Sequence, residues 1–368
     1  MSQFSFALAQ AADDGQLRRR MAEDWITGRL SVSFRREPSY FDGCKVQGES
    51  AQIIKCIEVA SGKIIGMGSR MVSMAHINGT PQRLGYLADL RADLAYRGYT
   101  LLARGYRFLR QLHDADPVSL YYSLIFEGNT AALGSLIGAR AGLPVYRHCG
   151  KILTPAVHLD LPKPAIKIPG VKFVRARREQ MSDIFRFIRR WQSHKQFAPV
   201  YRPCDIDSPR LRGLKAEDFF LGIRENRIVA TVAAWDQSTF RQTHIEEYSA
   251  ILKRVRPMYN ALAALTPLKA LPTPGDAIPY FYLSFVATEE NDPHLFRGLL
   301  RHLYRELRSG PWHYFIAGLH EDDPLAQVLS EYRRIKAAGE LFVIHYPEDE
   351  LGFRRLDQRI PYVEIATI

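Results

Sequence analysis

Cysteine is scarce in this chain, with only four residues among 368. Cys44, Cys56, Cys149 and Cys204 lie far apart and show no CxxC spacing, so they do not form the pattern of a zinc site or a disulfide framework. The histidines likewise lack the HExxH spacing of a catalytic zinc helix. We therefore expect no metal, and we expect isolated thiols in a reducing, cytoplasmic compartment.

Long apolar runs are missing as well. No stretch approaches the roughly 20 consecutive apolar residues that cross a bilayer, and residues 1–16 become acidic and polar too early for a secretory leader. The sequence also has no GxxxxGK[ST] loop and no GxSxG segment. These absences argue against a membrane-spanning protein, a P-loop nucleotide enzyme and a serine hydrolase of the GxSxG type. We also expect no membrane partner.

Positive charge is in excess, but it is not concentrated. The net charge is +11, and residues 1–165 carry six more Lys and Arg than Asp and Glu, while residues 166–368 carry five more. A nucleic-acid-binding surface more often shows a dense basic patch. Nucleic acid is therefore a disfavoured partner that the sequence still allows. A moderate positive field also suits an anionic ligand or an acidic acceptor.

Residues 84–112 combine an extended apolar segment with an amphipathic helix. The segment Leu84–Leu94 is predicted to be a strand, Arg97-Gly98 a tight turn, and the apolar spacing from Leu101 to Leu112 a helix. Such a turn leaves the first helical N–H groups unpaired at the positive end of the helix dipole, which suits a pyrophosphate. The alternative is an ordinary strand-to-helix turn that binds nothing.

The neighbouring segments predict the rest of a first module. Gln52–Val59 and Lys63–Met74 have the pattern of a hairpin with Ser61-Gly62 at its turn, and Val118–Phe126 is rich in strand formers. Gly128-Asn129 then opens a predicted helix. Residues 154–170, punctuated by four prolines and Gly170, are predicted to hold the final strand of this module followed by a linker.

This order of elements resembles the GNAT acyltransferase superfamily, whose members bind acyl-CoA at a splayed sheet. In that family the fourth strand ends in a Gln/Arg-x-x-Gly-x-Gly/Ala turn that holds the pyrophosphate. Arg97 and Gly98 match its opening, whereas Thr100 and Leu102 replace the next two glycines. The resemblance implies acetyl-CoA or another acyl-CoA as co-substrate. The implied contacts are main-chain groups of Leu90, Arg91 and Ala92, the turn residues Arg97, Gly98, Tyr99 and Thr100, and Asn129, which could equally be a helix cap.

The same resemblance implies candidates for proton transfer. Asp89 and Asp93, near the end of the fourth strand, are candidates for the general base, but they could equally form a structural salt-bridge set beside Arg91. The family often places a tyrosine acid where this chain has Leu136. Tyr122 on the following strand is the proposed substitute, or Tyr121 beside it, although strand tyrosines more often pack in a core, and water could serve instead.

Residues 171–368 repeat the order of the first half. Phe219–Arg224 and Arg227–Trp235 predict a second hairpin, Tyr280–Ala287 a strand, and Ala338–Tyr346 and Tyr362–Ile368 the closing strands of a second sheet. The turn after Ala287 carries Glu289, Glu290 and Asp292 instead of glycine, so this copy is predicted to be degenerate and to bind no CoA. An insert near residues 242–279, with a helix over Tyr248–Leu265, could cover an acceptor cleft, form an interface or be surface padding.

The predicted fold class is therefore α/β (α+β), with two GNAT-like domains at residues 1–165 and 166–368. Each domain is expected to have a mixed, mostly antiparallel splayed sheet flanked by helices. The predicted function is acyl-CoA-dependent transfer, most simply of acetyl, to a small-molecule or peptide amine. A Fem-like transferase that uses aminoacyl-tRNA and a non-catalytic acyl-CoA-binding protein remain alternatives. The sequence is compatible with an oligomer.

Overall fold

The chain forms two large β-sheets, a two-stranded ribbon and flanking helices in the computed structural model, which describes residues 3–28, 30–96, 100–137 and 142–368. Up to residue 165 the strands are β1 (Phe4–Leu8), β2 (Leu30–Arg35), β3 (Ser50–Glu58), β4 (Ile64–Ile77), β5 (Thr80–Ala92), β6 (Tyr121–Phe126), β7 (Val145–Leu153) and β8 (Ala156–His158). The later strands are β9 (Val171–Arg175), β10 (Phe219–Arg224), β11 (Arg227–Trp235), β12 (Gln242–Tyr248), β13 (Tyr280–Thr288), β14 (Tyr314–Ile316), β15 (Leu319–His320), β16 (Arg334–Ile335) and β17 (Ala338–His345).

The α-helices alternate with these strands. They are α1 (Asp14–Glu23), α2 (Tyr40–Cys44), α3 (Leu101–Ala115), α4 (Thr130–Leu136), α5 (Met181–Gln192), α6 (Ala250–Ala263), α7 (Pro293–Leu307) and α8 (Glu350–Arg354). Both predicted hairpins, the predicted helix that begins at Leu101 and the helix of the insert are confirmed. The predicted sheet class is confirmed as well, because each large sheet has one parallel pair, β5–β6 or β13–β14, and is otherwise antiparallel.

The two sheets exchange strands. The first sheet has the order β1-β3-β4-β5-β6-β17-β7-β15, and the second has the order β16-β8-β14-β13-β11-β10-β9. The prediction that Ala338–Tyr346 closes the second sheet was therefore wrong, since β17 lies between β6 and β7. The prediction that the segment after Thr154 ends the first sheet was wrong too, since β8 pairs with β14 and β16. Strand propensity marks a segment as extended but does not select its partner.

The predicted strand Tyr362–Ile368 was also wrong. This segment passes between the sheets and contains a single turn of 3₁₀ helix at Ile365–Thr367. Its apolar side chains are divided among separate cores: Tyr362 packs with α7, Val363 with the first sheet, and Ile365 with the second. Because three different environments bury these side chains, the segment does not need a strand partner to be ordered.

Helices cover both faces of each sheet. Leu17 and Met21 of α1 pack on one face of the first sheet, and Tyr106 and Leu109 of α3 pack on the other. In the second sheet, α7 and α5 take the corresponding positions. These apolar stripes are what the helical spacing of the sequence predicts.

The insert is attached to the first half of the chain. Its strand β12 pairs antiparallel with β2, from Gln242 opposite Arg35 to Tyr248 opposite Leu30. The domain division between residues 165 and 166 stays a prediction. Strands pair across it in both directions, since β17 lies in the first sheet and β8 in the second.

A polypeptide of residues 1–165 is expected not to unfold cooperatively by itself, because the first sheet would lack β17 between β6 and β7. Co-expression with residues 166–368 should restore cooperative thermal unfolding, followed by circular dichroism. A sharp, reversible unfolding transition of the isolated 1–165 fragment would show that the first sheet is stable without β17, and would contradict this expectation.

Candidate active site

The first sheet opens between its two parallel strands. β5 and β6 form only two residue pairs, Gly85 with Tyr121 and Tyr86 with Tyr122. A hydroxyl bridge from Ser123 Oγ to the Leu87 carbonyl, at 2.9 Å, follows directly. Beyond this bridge, residues 88–92 of β5 and residues 124–126 of β6 do not pair with each other. A cleft with main-chain donors and acceptors on its walls results.

Glycine is required where the strands still touch. A Cβ at Gly85 would lie 2.0 Å from Cδ1 of Tyr121, far inside van der Waals contact. The close pairing at this position, followed at once by divergence, fixes the point from which the cleft opens.

A β-bulge shapes the wall that β5 contributes. Ser69 pairs with Ala88 and Met67 pairs with Arg91, so β5 has one residue more than β4 across this interval. Asp89 has a φ of 53° there, a conformation that costs a non-glycine residue about 1 kcal/mol or more. The bulge turns the main chain of residues 89 and 90 out of the regular ladder.

The second sheet has the same bulge at the corresponding position. Ala233 pairs with Ser284 and Thr231 pairs with Ala287, and Phe285 has a φ of 54°. In register, Asp89 therefore corresponds to Phe285. This correspondence supports the predicted repeat, while the degenerate character of the second copy stays a prediction.

The Phe285 amide already has an oxygen acceptor. Its N–H donates to Oε2 of Glu364 at 2.9 Å, and the Tyr362 hydroxyl donates to the same oxygen at 2.8 Å. The carboxyl is buried, and burial raises the pKa of Glu364 to about 7. The segment that threads between the sheets thus fills the position of the second bulge. Sequence reasoning missed this contact, because Glu364 lies in a segment predicted to be a strand.

Asp89 is held by two side chains from the α1–α2 region. Arg36 Nη2 lies 2.7 Å from Asp89 Oδ2, and the Tyr40 hydroxyl donates to that oxygen at 2.8 Å. Burial raises the pKa of Asp89. The charges of Arg36 and Arg91 and the hydrogen bond from Tyr40 lower it by more than burial raises it, so the pKa of Asp89 lies below its usual value. Such a carboxylate is a weak base with its oxygen already engaged. This geometry favours the structural alternative that the sequence left open for Asp89.

Asp93 is also engaged in ion pairs. Its Oδ2 lies 2.9 Å from Lys63 Nζ and 3.6 Å from Arg20 Nη1, and Oδ1 accepts from the Ala95 N–H. The hydrogen bond from Lys63 lowers the pKa of Asp93. The base roles of Asp89 and Asp93 stay predictions.

The tyrosine candidates lie in the interior. Tyr122 is buried and stacks on Tyr86 with ring centroids 4.6 Å apart, and burial raises its pKa. Tyr121 is also buried, and its hydroxyl is bound by Arg70 Nε and by His113 Nδ1, both at 2.9 Å. Leu136, at the family's tyrosine position, packs in the α3 core. The acid role of Tyr122 stays a prediction.

Part of the predicted CoA site cannot be placed: Arg97, Gly98 and Tyr99 lie outside the described residues. Thr100 is exposed and precedes α3 directly. Asn129 caps α4, since its side-chain oxygen accepts from the Ala132 N–H at 3.1 Å. The cap that the sequence offered as an alternative for Asn129 is thus present, and its contact with CoA stays a prediction.

Exposed apolar side chains lie on the two strands where they diverge. Leu90 on β5, Leu94 just beyond it and Phe126 at the end of β6 are all exposed. Phe126 stacks on Phe34 of β2, with centroids 5.9 Å apart and planes 5° from parallel. An apolar, open wall of this kind fits a ligand with a hydrocarbon portion. Sequence reasoning assigned Leu90 only a main-chain role and missed Phe126.

A surface cavity of about 370 Å³, largely open to solvent, lies beside the end of α1. Its walls are formed by the side chains of Arg19, Ala22, Glu23, Trp25, Arg35 and Glu246. Glu246 comes from the insert and pairs with Arg35 at 2.7 Å. Asp24, between two of the wall residues, accepts a hydrogen bond from Arg91 of β5 at 3.2 Å through its carbonyl. The main chain next to the cavity is therefore hydrogen-bonded to the bulged strand.

Two further properties concern metals and membranes. The described ranges contain no group of three His, Cys, Asp or Glu side chains placed to hold a metal ion. None of the described helices has both the length and the apolar character needed to cross a bilayer.

We expect Asp89→Asn and Arg36→Met each to lower the free energy of unfolding by about 3–5 kcal/mol, since each leaves a buried charge without its partner. Lys45→Met removes a more exposed ion pair from α2 and should cost less than about 1 kcal/mol. Urea denaturation measures all three. Losses for the Arg36 and Asp89 variants no larger than that of the Lys45 variant would rule out a structural ion pair.

Glu364→Gln is expected to remove a pH-dependent loss of stability. The pKa of Glu364 is about 7 in the folded protein and about 4.5 in the unfolded chain, so the folded state binds the proton more tightly. Stability is therefore full below about pH 4.5 and falls as pH rises to about 7, by on the order of 3 kcal/mol relative to the variant. Urea denaturation of both proteins across this range tests it. A stability difference that is independent of pH would contradict the assignment.

Comparison with known proteins identifies the fold. No protein-family model and no curated protein sequence matches the chain. Among solved structures, N-myristoyltransferase of Saccharomyces cerevisiae with bound myristoyl-CoA has a TM-score of 0.60 at 11% identity, covering 94% of this chain and 80% of that one. A glucosamine N-acetyltransferase region in a fungal multi-domain β-N-acetylglucosaminidase has a TM-score of 0.59 at 11% identity, covering 93% of this chain and 38% of that one.

A third structure matches over its whole length. A GCN5-related N-acetyltransferase from Sphaerobacter thermophilus has a TM-score of 0.54 at 11% identity, covering 100% of this chain and 99% of that one. The order of elements along the sequence predicts the same fold. The chain therefore has the fold of the GNAT superfamily.

Proposed function

We propose that the chain is an acyl-CoA-dependent N-acyltransferase whose reaction takes place at the cleft of the first sheet. The observation that carries this proposal is the bulge at Asp89. The equivalent N–H in the second sheet donates to a carboxylate oxygen, whereas the first sheet presents its bulge beside an open cleft. An amide fixed in this way can donate to the thioester carbonyl oxygen.

The reaction needs little covalent machinery from the protein. The amine nitrogen attacks the thioester carbonyl carbon, a C–N bond forms, and negative charge builds on the carbonyl oxygen. We propose that the Asp89 N–H stabilises this charge, beside the predicted main-chain contacts of Leu90, Arg91 and Ala92. The C–S bond then breaks, and the CoA thiolate receives a proton while the new amide loses one, with water as carrier. Asp89 itself acts here through the bulge that its ion pair with Arg36 holds in place.

Acyl-CoA as the co-substrate class is supported by a structural neighbour that binds myristoyl-CoA. Acetyl is the simplest acyl group, and the exposed Leu90, Leu94 and Phe126 also provide apolar surface for a longer chain. We place the acceptor amine in the cavity beside α1, where the exposed indole of Trp25 offers a flat apolar wall and Glu23 a nearby negative charge. A cytoplasmic location stays a prediction of the sequence.

Titration calorimetry with acetyl-CoA and myristoyl-CoA tests the site. Leu90→Glu places a negative charge on the exposed wall of the cleft and should weaken binding of both ligands by at least about tenfold, by repulsion of the CoA phosphates. Val59→Glu changes an equally exposed side chain on the β3–β4 turn and serves as the matched control. Arg97→Glu should also abolish binding if the predicted turn holds the pyrophosphate.

The alternatives make different predictions in the same experiments. Acyl-CoA binding without thiol release in the presence of a panel of amines would favour a non-catalytic binding protein. If the wild-type protein binds neither acyl-CoA, the proposal fails. Salt-sensitive binding of aminoacyl-tRNA would then favour the Fem-like alternative.

A further inference from the structure

Helix α6 of the insert presents an apolar stripe to solvent. Ile251, Met258 and Leu265 are 76%, 71% and 87% exposed, and Val255 and Leu262 between them are exposed as well. The spacing of these five residues alternates four and three, so they share one side of the helix and its C-terminal extension. Single exposed apolar residues are ordinary on protein surfaces, but a continuous stripe of five requires an explanation.

The other side of α6 is held against the segment of the insert that follows it, at Leu271 and Thr273. Asn260 makes two hydrogen bonds with the main chain of Leu271, one from its amide nitrogen to the carbonyl at 3.0 Å and one to its oxygen from the N–H at 2.8 Å. Arg256 donates to Leu271 and Thr273, and Ala263 is buried. These contacts fix the rotation of the helix, so the apolar stripe stays outward.

The charge of this segment has a single sign. Between Glu247 and Asp276 the sequence contains four cationic residues and no Asp or Glu. The cations are Lys253, Arg254, Arg256 and Lys269, and the first two are exposed on α6. An aliphatic stripe combined with basic residues and no acidic ones is the pattern of a helix that lies in the interface of an anionic bilayer.

We propose that α6 docks the protein onto an anionic membrane surface, with its apolar stripe inserted at the level of the headgroups. A second copy is a poorer occupant, because pairing two stripes would bring the exposed Lys253 and Arg254 of each copy close together. A protein partner would need a groove that matches a convex helix, whereas a bilayer deforms around one. The sequence predicted no membrane partner because no segment can span a bilayer; surface docking requires no such segment.

The insert connects the proposed docking helix to the cleft of the first sheet. β12 joins α6 to β2, and Phe34 of β2 stacks on Phe126 at the cleft. A membrane bound by α6 would therefore lie on the side of the molecule that carries this ribbon. The docking surface does not depend on the proposed chemistry, and either proposal can fail without the other.

Co-sedimentation with vesicles tests the docking surface in the full-length chain. The wild-type protein should bind phosphatidylcholine vesicles that contain phosphatidylglycerol, with much weaker binding to phosphatidylcholine alone and a decline as salt is raised. Met258→Asp/Leu262→Asp should reduce the bound fraction by at least about tenfold, since it places two charges in the stripe. Val59→Asp/Leu351→Asp removes two exposed apolar residues elsewhere with the same change of net charge, and it should bind like the wild type.

Circular dichroism of both double variants establishes that they are folded. Absence of wild-type binding to either vesicle type, or equal loss in the two double variants, would overturn the proposal. Analytical ultracentrifugation covers the other occupant: a dimer that Met258→Asp/Leu262→Asp dissociates, without vesicle binding, would assign the stripe to a second copy and also overturn it.

Discussion

The hydrogen-bond ladder between β6 and β17 holds the cleft open. β6 forms two residue pairs with β5 on one side and six with β17 on the other, so its direction follows β17. The divergence of β6 from β5 is therefore set by a strand that comes from the second half of the chain. The β5 wall depends on a different interaction, the buried ion pair of Arg36 with Asp89. Together these contacts make the cleft a product of both halves, although nearly all its walls belong to the first.

The two bulges show how one backbone geometry can be stabilised in two ways. At Asp89, a left-handed residue is held by a guanidinium and a phenol. At Phe285, the ring packs among Phe185, Tyr201, Phe219 and Trp235, with centroids 5.0–6.2 Å away. The Phe285 amide donates to Glu364, whereas the Asp89 amide is the group that we propose to act on the thioester carbonyl. The buried Phe285 N–H thus has an internal acceptor, as buried main-chain donors require.

The local sequence pattern predicts most helices and strands correctly, but it does not predict which strands pair with each other over long distances in the chain. The β3–β4 hairpin and α3 have their own turn and helical spacing, so the sequence alone defines them. β8 and β17 have equally clear strand composition, but their partners lie in the opposite sheet, which no local pattern encodes. The Phe285–Glu364 contact joins positions 79 residues apart. At the cleft, the sequence left Asp89 with two roles because nothing in it reveals that Arg36 and Tyr40 converge there, while the roles of Arg97, Gly98 and Tyr99 rest on sequence alone.

The exchanged strands also govern the order in which the protein can fold during its synthesis. β6 and β7 leave the ribosome long before β17, so their facing edges remain without a partner while nearly two hundred further residues are added. Unpaired edges of this kind recruit other strands and promote aggregation. The nascent chain must therefore keep a central gap in its first sheet protected until almost all of the second has been made. For this protein, the speed of translation and the availability of chaperones over that interval become determinants of yield.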